Sequence, residues 1–160
     1  MASKSADKTN VMRLLEQKKI PYTVHTVENA EGLTGVEIAA KLGLPAEYGF
    51  KTLVTVGASK NHYVFIVPVA EELNLKKAAA LTNEKWVEMI PQKELLPLTG
   101  YVHGGCSPIG MKKLFKTFIH ESAASAPSIR ISAGKVGMQV ELQLSDLKKM
   151  IPLREADLIS

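Results

Sequence analysis

Apolar residues recur along this chain in two rhythms, and the switches between them divide it into short helices and strands. Val11, Leu14, Leu15 and the aliphatic stem of Lys18 fall at helical spacing, and Pro21 ends that helix. Tyr22 to Val27 alternates with period two and predicts a strand, with the polar Glu28 to Leu33 connection after it. Thr34-Gly35-Val36-Glu37 has the spacing of a capping box; it predicts a helix with Ile38, Ala39 and Leu42 on one face and Gly43 as its stop. Lys51 to Val56 and His62 to Val69 are β-rich runs around the loop Gly57 to Asn61, the pattern of a central hairpin.

Asn74 is placed to cap a helix over Leu75 to Leu81, and Thr82 a second over Asn83 to Ile90; the prolines at 91 and 97 interrupt the next stretch. Strands are predicted at Thr99 to His103, Lys116 to His120, Ser128 to Ser132 and Met138 to Leu142, and Ser145 opens a final helix through Ile151. These runs do not alternate in a βαβ rhythm. The expected fold class is therefore α+β, a mixed sheet curled toward a barrel with helices packed outside.

At 160 residues the chain has the size of one compact domain, expected over residues 7–160, with the small polar stretch Met1 to Ala6 as a disordered leader. Its 46% hydrophobic and 22% charged residues are ordinary globular usage. A lone cysteine excludes an internal disulfide, and with no secretory leader pattern it points to a reducing, cytoplasmic setting. No apolar run approaches the roughly 18 residues of a membrane span. Lys plus Arg number 20 against 16 Asp plus Glu, a formal net charge of +4 that favours a polyanionic partner without naming one. Of the lysine pairs, Lys112-Lys113 is the one placed beside a binding loop.

Chemistry concentrates in three polar breaks beside apolar runs: Phe50-Lys51-Thr52, the loop Gly104-Gly105-Cys106-Ser107-Pro108-Ile109-Gly110, and Ile131-Ser132-Ala133-Gly134-Lys135. Paired glycines let a backbone approach a ligand closely and aim its N–H groups there, while lysine and hydroxyl groups add charge and donors. The three together predict a pocket for an anionic or carbonyl-bearing ligand. Lys51, at the start of a β run, is either an ammonium at the pocket mouth that stabilises developing negative charge or an edge-strand lysine that deters aggregation. Cys106, three residues from His103, reads either as an imidazole-activated nucleophile or as a small buried hydrophobe. His25, His62, His103 and His120 have no zinc-like spacing, so neither a metal nor a cofactor is expected.

Several of these segments, in order, resemble the YbaK family, which includes EbsC-type proteins and the editing domain inserted in bacterial prolyl-tRNA synthetases. The resemblance runs from the first helix to Ile151 and rests on Phe50-Lys51-Thr52-Leu53, Leu75-Lys76-Lys77-Ala78, Gly100-Tyr101, Gly104 to Gly110 and Ser132-Ala133-Gly134-Lys135. It implies a mixed, barrel-like sheet surrounded by helices and a free-standing deacylase that clears mischarged tRNA, above all cysteine esterified to proline tRNA. Mischarged tRNA is then the partner, with prolyl-tRNA synthetase admitted as a second. Lys51 matches the family's indispensable lysine, and Thr52 matches the cysteine-specific members where alanine-specific relatives carry asparagine. The resemblance assigns Gly104 and Gly105 to the aminoacyl carbonyl and terminal ribose, Ser132 and Gly134 to the pocket, and Thr34 and Gly35 to its lip. Where some members have a tyrosine this chain has Val27, followed by a shorter connection at 28–33, a departure in the wall that faces the amino-acid side chain. The implied mechanism needs no enzymic nucleophile, since the substrate's own thiol attacks its ester. A deacylase for another small aminoacyl group such as alanine, a hydrolase built on Cys106, and a non-catalytic tRNA-binding module are the alternatives.

Overall fold

The computed structural model describes residues 8–160, and the leader expected at residues 1–6 lies outside them. Among the described residues five α-helices, α1 (Asn10–Gln17), α2 (Gly35–Leu42), α3 (Leu75–Thr82), α4 (Gln92–Thr99) and α5 (Leu144–Met150), accompany eight strands. The strands are β1 (Thr23–Thr26), β2 (Phe50–Gly57), β3 (His62–Pro68), β4 (Val87–Met89), β5 (Lys116–His120), β6 (Ile129–Lys135), β7 (Met138–Leu142) and β8 (Arg154–Ala156). They form two sheets, β4-β2-β3-β5-β8 and β1-β7-β6. The expected α+β class with outside helices is found, but the sheets do not close into a barrel. They meet instead at one parallel bridge, Gly49 to Arg130.

Burial explains why β3 is the centre of the larger sheet. Val64 and Ile66 face one core and Tyr63, Phe65 and Val67 the other, and all five are buried, so no polar position interrupts the run. The first core, between the sheets, gathers Val11, Leu15, Ile66, Ile109, Ile119, Ile129, Ile131 and Leu147. On the far face, Phe65 stacks on Phe118 with ring centroids 5.4 Å apart, and Ala78 of α3 and the fully buried Leu158 cover them. The C-terminal tail packs on its own chain: β8 runs parallel to β5, and the Asn74 N–H donates to the Leu158 carbonyl at 2.7 Å.

Helix ends follow the local chemistry. Thr34 and Glu37 form the reciprocal capping box, Gly43 takes the left-handed conformation that ends α2, and the Asn74 side chain accepts from the Lys77 N–H. Two expected elements are different. Residues 83–90 form no helix: Asn83 is left-handed (φ 58°) and terminates α3, the Thr82 hydroxyl donates back to Ala78 O at 2.8 Å, and Val87–Met89 pairs with β2 as an edge strand. Asparagine tolerates that conformation, so Thr82 closes one helix rather than opening another. Thr99 to His103 forms no strand either, because Thr99 ends α4, Gly100 (φ 89°) turns the chain, and residues 101–103 are loop. β1 is shorter than the alternation suggested and largely exposed.

Phe65→Ala should destabilise the fold by about 3–5 kcal/mol, against less than about 0.5 kcal/mol for the exposed Leu114→Ala, as read by urea denaturation.

Candidate active site

Between the two sheets lies a cavity of about 700 Å³. The start of β2 supplies Lys51 and Thr52, the facing hairpin β6–β7 supplies Ser132 and Gln139, and the N-terminus of α2 supplies Thr34 and Gly35. His103, Gly104 and Cys106 close one side, and Met89, Ile90, Gln92 and Leu95 complete a more apolar wall. Segments distant in sequence are thus brought together as the polar breaks suggested.

The Lys51 ammonium lies 3.2 Å from a carboxylate oxygen of Glu72, which is itself 91% exposed at the rim. So exposed a pair is weak, and the ammonium is readily redirected to an anionic ligand. Thr52 Oγ1 and Gln139 Oε1, on two residues of the lining, are buried without hydrogen-bond partners. Leaving such a group unsatisfied costs about 1–3 kcal/mol, and a ligand that reaches it recovers that cost. Ser132 Oγ accepts the Gly134 N–H at 3.0 Å, which leaves its own hydroxyl hydrogen free to donate. Ser132 therefore fills both of its roles, turn and cavity wall.

Not every expected residue faces the cavity. Gly105 donates its N–H to Val102 O at 3.0 Å, and an added Cβ would stand 3.2 Å from the Lys135–Val136 backbone. Its role is the close contact of two loops, and its amide is already engaged. Gly134 (φ 101°) packs beneath the Tyr101 ring and is likewise absent from the lining. Gly104 (φ 86°) does line the cavity, and its N–H has no backbone partner among the described residues. At the lip, the Thr34 hydroxyl oxygen is occupied as the helix cap, while Gly35 would place a Cβ 2.5 Å from Val69, so a side chain there would force α2 away. Val27 does not reach the cavity; its N–H donates to Gly137 O, and Leu33 forms that part of the wall.

Burial pushes the Cys106 thiol up to about 12, opposed only by a hydrogen bond from Thr99. Burial of this kind favours the thiol over the thiolate, and among the described residues no hydrogen bond joins it to His103, surroundings that suit a small buried hydrophobe. Burial also pushes the Tyr101 phenol up to about 12, and its hydroxyl donates to Ile109 O. With the buried Ser107 accepting from the Ile109 N–H, this contact fixes the shape of the 104–110 loop. Gln139 escaped the sequence reading. The alternation Met138, Val140, Leu142 marks it as a polar-face position of a strand, but only the Ser132 to Gln139 pairing reveals which loop it faces.

Comparison with known proteins gives the family. The chain belongs to the aminoacyl-tRNA editing domain family, whose profile matches residues 28–150. It is 46% identical over 140 residues, 87% of this chain and 85% of the relative, to a protein of Enterococcus faecalis (strain ATCC 700802 / V583) named "Putative Cys-tRNA(Pro)/Cys-tRNA(Cys) deacylase EbsC". Its fold is shared with the crystal structure of "a putative trans-editing enzyme for prolyl tRNA synthetase" (TM-score 0.81, 22% identity, 95% of this chain and 98% of that one). It is shared equally with "hypothetical protein APE2540" (TM-score 0.85, 20% identity, 95% and 100%).

Thr52→Val keeps the shape of the side chain and removes the orphaned hydroxyl. Its thermal midpoint should equal or exceed that of the wild type, while binding of a non-hydrolysable aminoacyl-adenosine weakens about tenfold by calorimetry.

Proposed function

We propose that residues 7–160 act as one editing domain, an aminoacyl-tRNA deacylase that clears cysteine esterified to proline tRNA, with cysteinyl-tRNA(Cys) as a second substrate. The observation that carries this reading is the set of unsatisfied groups around the cavity: the Lys51 ammonium, held only by an exposed carboxylate, and the partnerless Thr52 Oγ1 and Gln139 Oε1. They are suited to orient an aminoacyl ester and include no charged nucleophile, while the one thiol present is held protonated.

The reaction this arrangement supports is intramolecular. The substrate's thiol sulfur bonds to the carbonyl carbon, the ester C–O bond breaks, and the terminal ribose hydroxyl of the tRNA leaves with the thiol proton. The cyclic thiolactone then opens in water to free cysteine. Lys51 and the Gly104 N–H stabilise the developing oxyanion, and the cavity holds sulfur and carbonyl in attack geometry, an arrangement able to contribute several kcal/mol. The Ser132 hydroxyl and Gln139 amide bind the remaining polar groups of the aminoacyl end. The cytoplasm is the compartment this reading requires, and prolyl-tRNA synthetase is the enzyme that would supply the substrate.

Release of cysteine from cysteinyl-tRNA(Pro) tests the reading. Wild type should accelerate release, Lys51→Ala should lose at least about a hundredfold, and Cys106→Ser should stay within about twofold. Full activity in Lys51→Ala contradicts the assignment, and salt-sensitive tRNA binding without release would leave a binding module in its place.

A further inference from the structure

On β6 the side chains of Ile129, Ile131 and Ala133 point into the core, and those of Arg130 and Ser132 point the other way. Arg130 is nonetheless only 3% exposed, which is unusual for a side chain that always carries charge. Its Nη2 donates to the Pro45 carbonyl at 2.6 Å, and its backbone pairs with Gly49 in the one bridge between the two sheets among the described residues. A Cβ on Gly49 would stand 3.1 Å from Nη2, so the guanidinium lies directly against the segment that leads into β2. The counter-charge comes from Glu141, opposite Arg130 in the β6–β7 register. Glu141 is in turn held by the Ser128 hydroxyl and, at 2.7 Å, by His25 Nε2.

Two residues beyond Gly49 lies Lys51, and two residues beyond Arg130 lies Ser132. In a parallel bridge these pairs advance together, so the cavity opens where the bridge ends, with Lys51 and Thr52 on one wall and Ser132 and Gln139 on the other. A shift of the 45–49 segment by a fraction of an ångström would pass directly to Lys51.

On the deacylase reading above, we propose that Arg130 is a positioning residue for the reaction: by tying Pro45 and Gly49 to β6, its guanidinium sets the spacing of Lys51 and Thr52 from Ser132 and Gln139. Burying a guanidinium costs stability, and here no carboxylate lies within salt-bridge distance of it among the described residues and its Nε is buried without a partner, so the arrangement has a use in geometry that it lacks in stability.

The test compares Arg130→Met, Arg130→Lys and the double variant Arg130→Met/Glu141→Gln, which removes the counter-charge as well, with wild type in the cysteinyl-tRNA(Pro) assay and by amide hydrogen exchange. In each variant that is folded by circular dichroism, loss of the guanidinium should lower kcat about ten- to hundredfold with KM within about twofold. Arg130→Lys, which keeps a donor able to reach Pro45 O, should recover part of that loss. Exchange at Phe50 to Leu53 should quicken while Val64 to Ile66 stay protected. If Arg130→Met fails to fold, the lysine and double variants decide the matter. A folded variant with wild-type kcat, or one altered in KM alone, overturns the proposal. A wild type that releases no cysteine refutes the deacylase reading instead; the exchange result then decides for Arg130, and unchanged exchange at Phe50 to Leu53 overturns its role.

Discussion

Strand β3 is buried on both faces, and the rest of the molecule is arranged by that constraint. Its Val64 and Ile66 require the inter-sheet core, and Phe65 and Val67 require the cover of α3 and the C-terminal tail. A strand with no polar side leaves no freedom of register, because a slip of one residue would exchange the two cores. β2 is therefore fixed against it, with Lys51 on the face of Val67 and Thr52 on the face of Ile66, and this polar start of the strand lines the cavity. The cavity is the space left between the two sheets.

The same logic explains why so much of the site is backbone and so little is reactive side chain. At Gly35 two segments approach closer than a Cβ allows, at Gly105 a Cβ would be a tight fit, and Tyr101 and Ser107 hold the 104–110 loop in shape. Within that frame the chain leaves a few polar atoms without partners. A substrate carrying its own nucleophile asks only for orientation and for stabilisation of charge on one oxygen, and Lys51, Thr52, Gly104, Ser132 and Gln139 are suited to both. The thiol at 106, which sequence context makes look reactive, is buried and protonated.

Much of this was legible in the chain. The hairpin, the Thr34 capping box, the Asn74 cap and the β-rich runs at 116–120 and 138–142 are written in local patterns, and local patterns prevailed because the cores agreed with them. Two of the errors have a common cause. Thr82-Asn83 and Thr99-Gly100 each offered a start signal and a stop signal together, and the left-handed conformation of the second residue in each pair decided for the stop. Polar breaks marked Lys51, Gly104 and Ser132, all three of which line the cavity. They could not separate glycines that line a cavity from Gly105 and Gly134, which serve loop packing, since both kinds answer to the same preference for a small residue. Gln139 and Arg130 gain their meaning only from cross-strand pairing, which no single stretch of sequence contains.

The central claim is that the protein orients a substrate that cleaves itself, and blocking the substrate's thiol tests it most directly. Cleavage of S-methylcysteinyl-tRNA(Pro) should fall to the spontaneous rate while unmodified cysteinyl-tRNA(Pro) is cleared rapidly under the same conditions. Equal rates for the two esters would contradict the account and require a nucleophile or an activated water supplied by the protein.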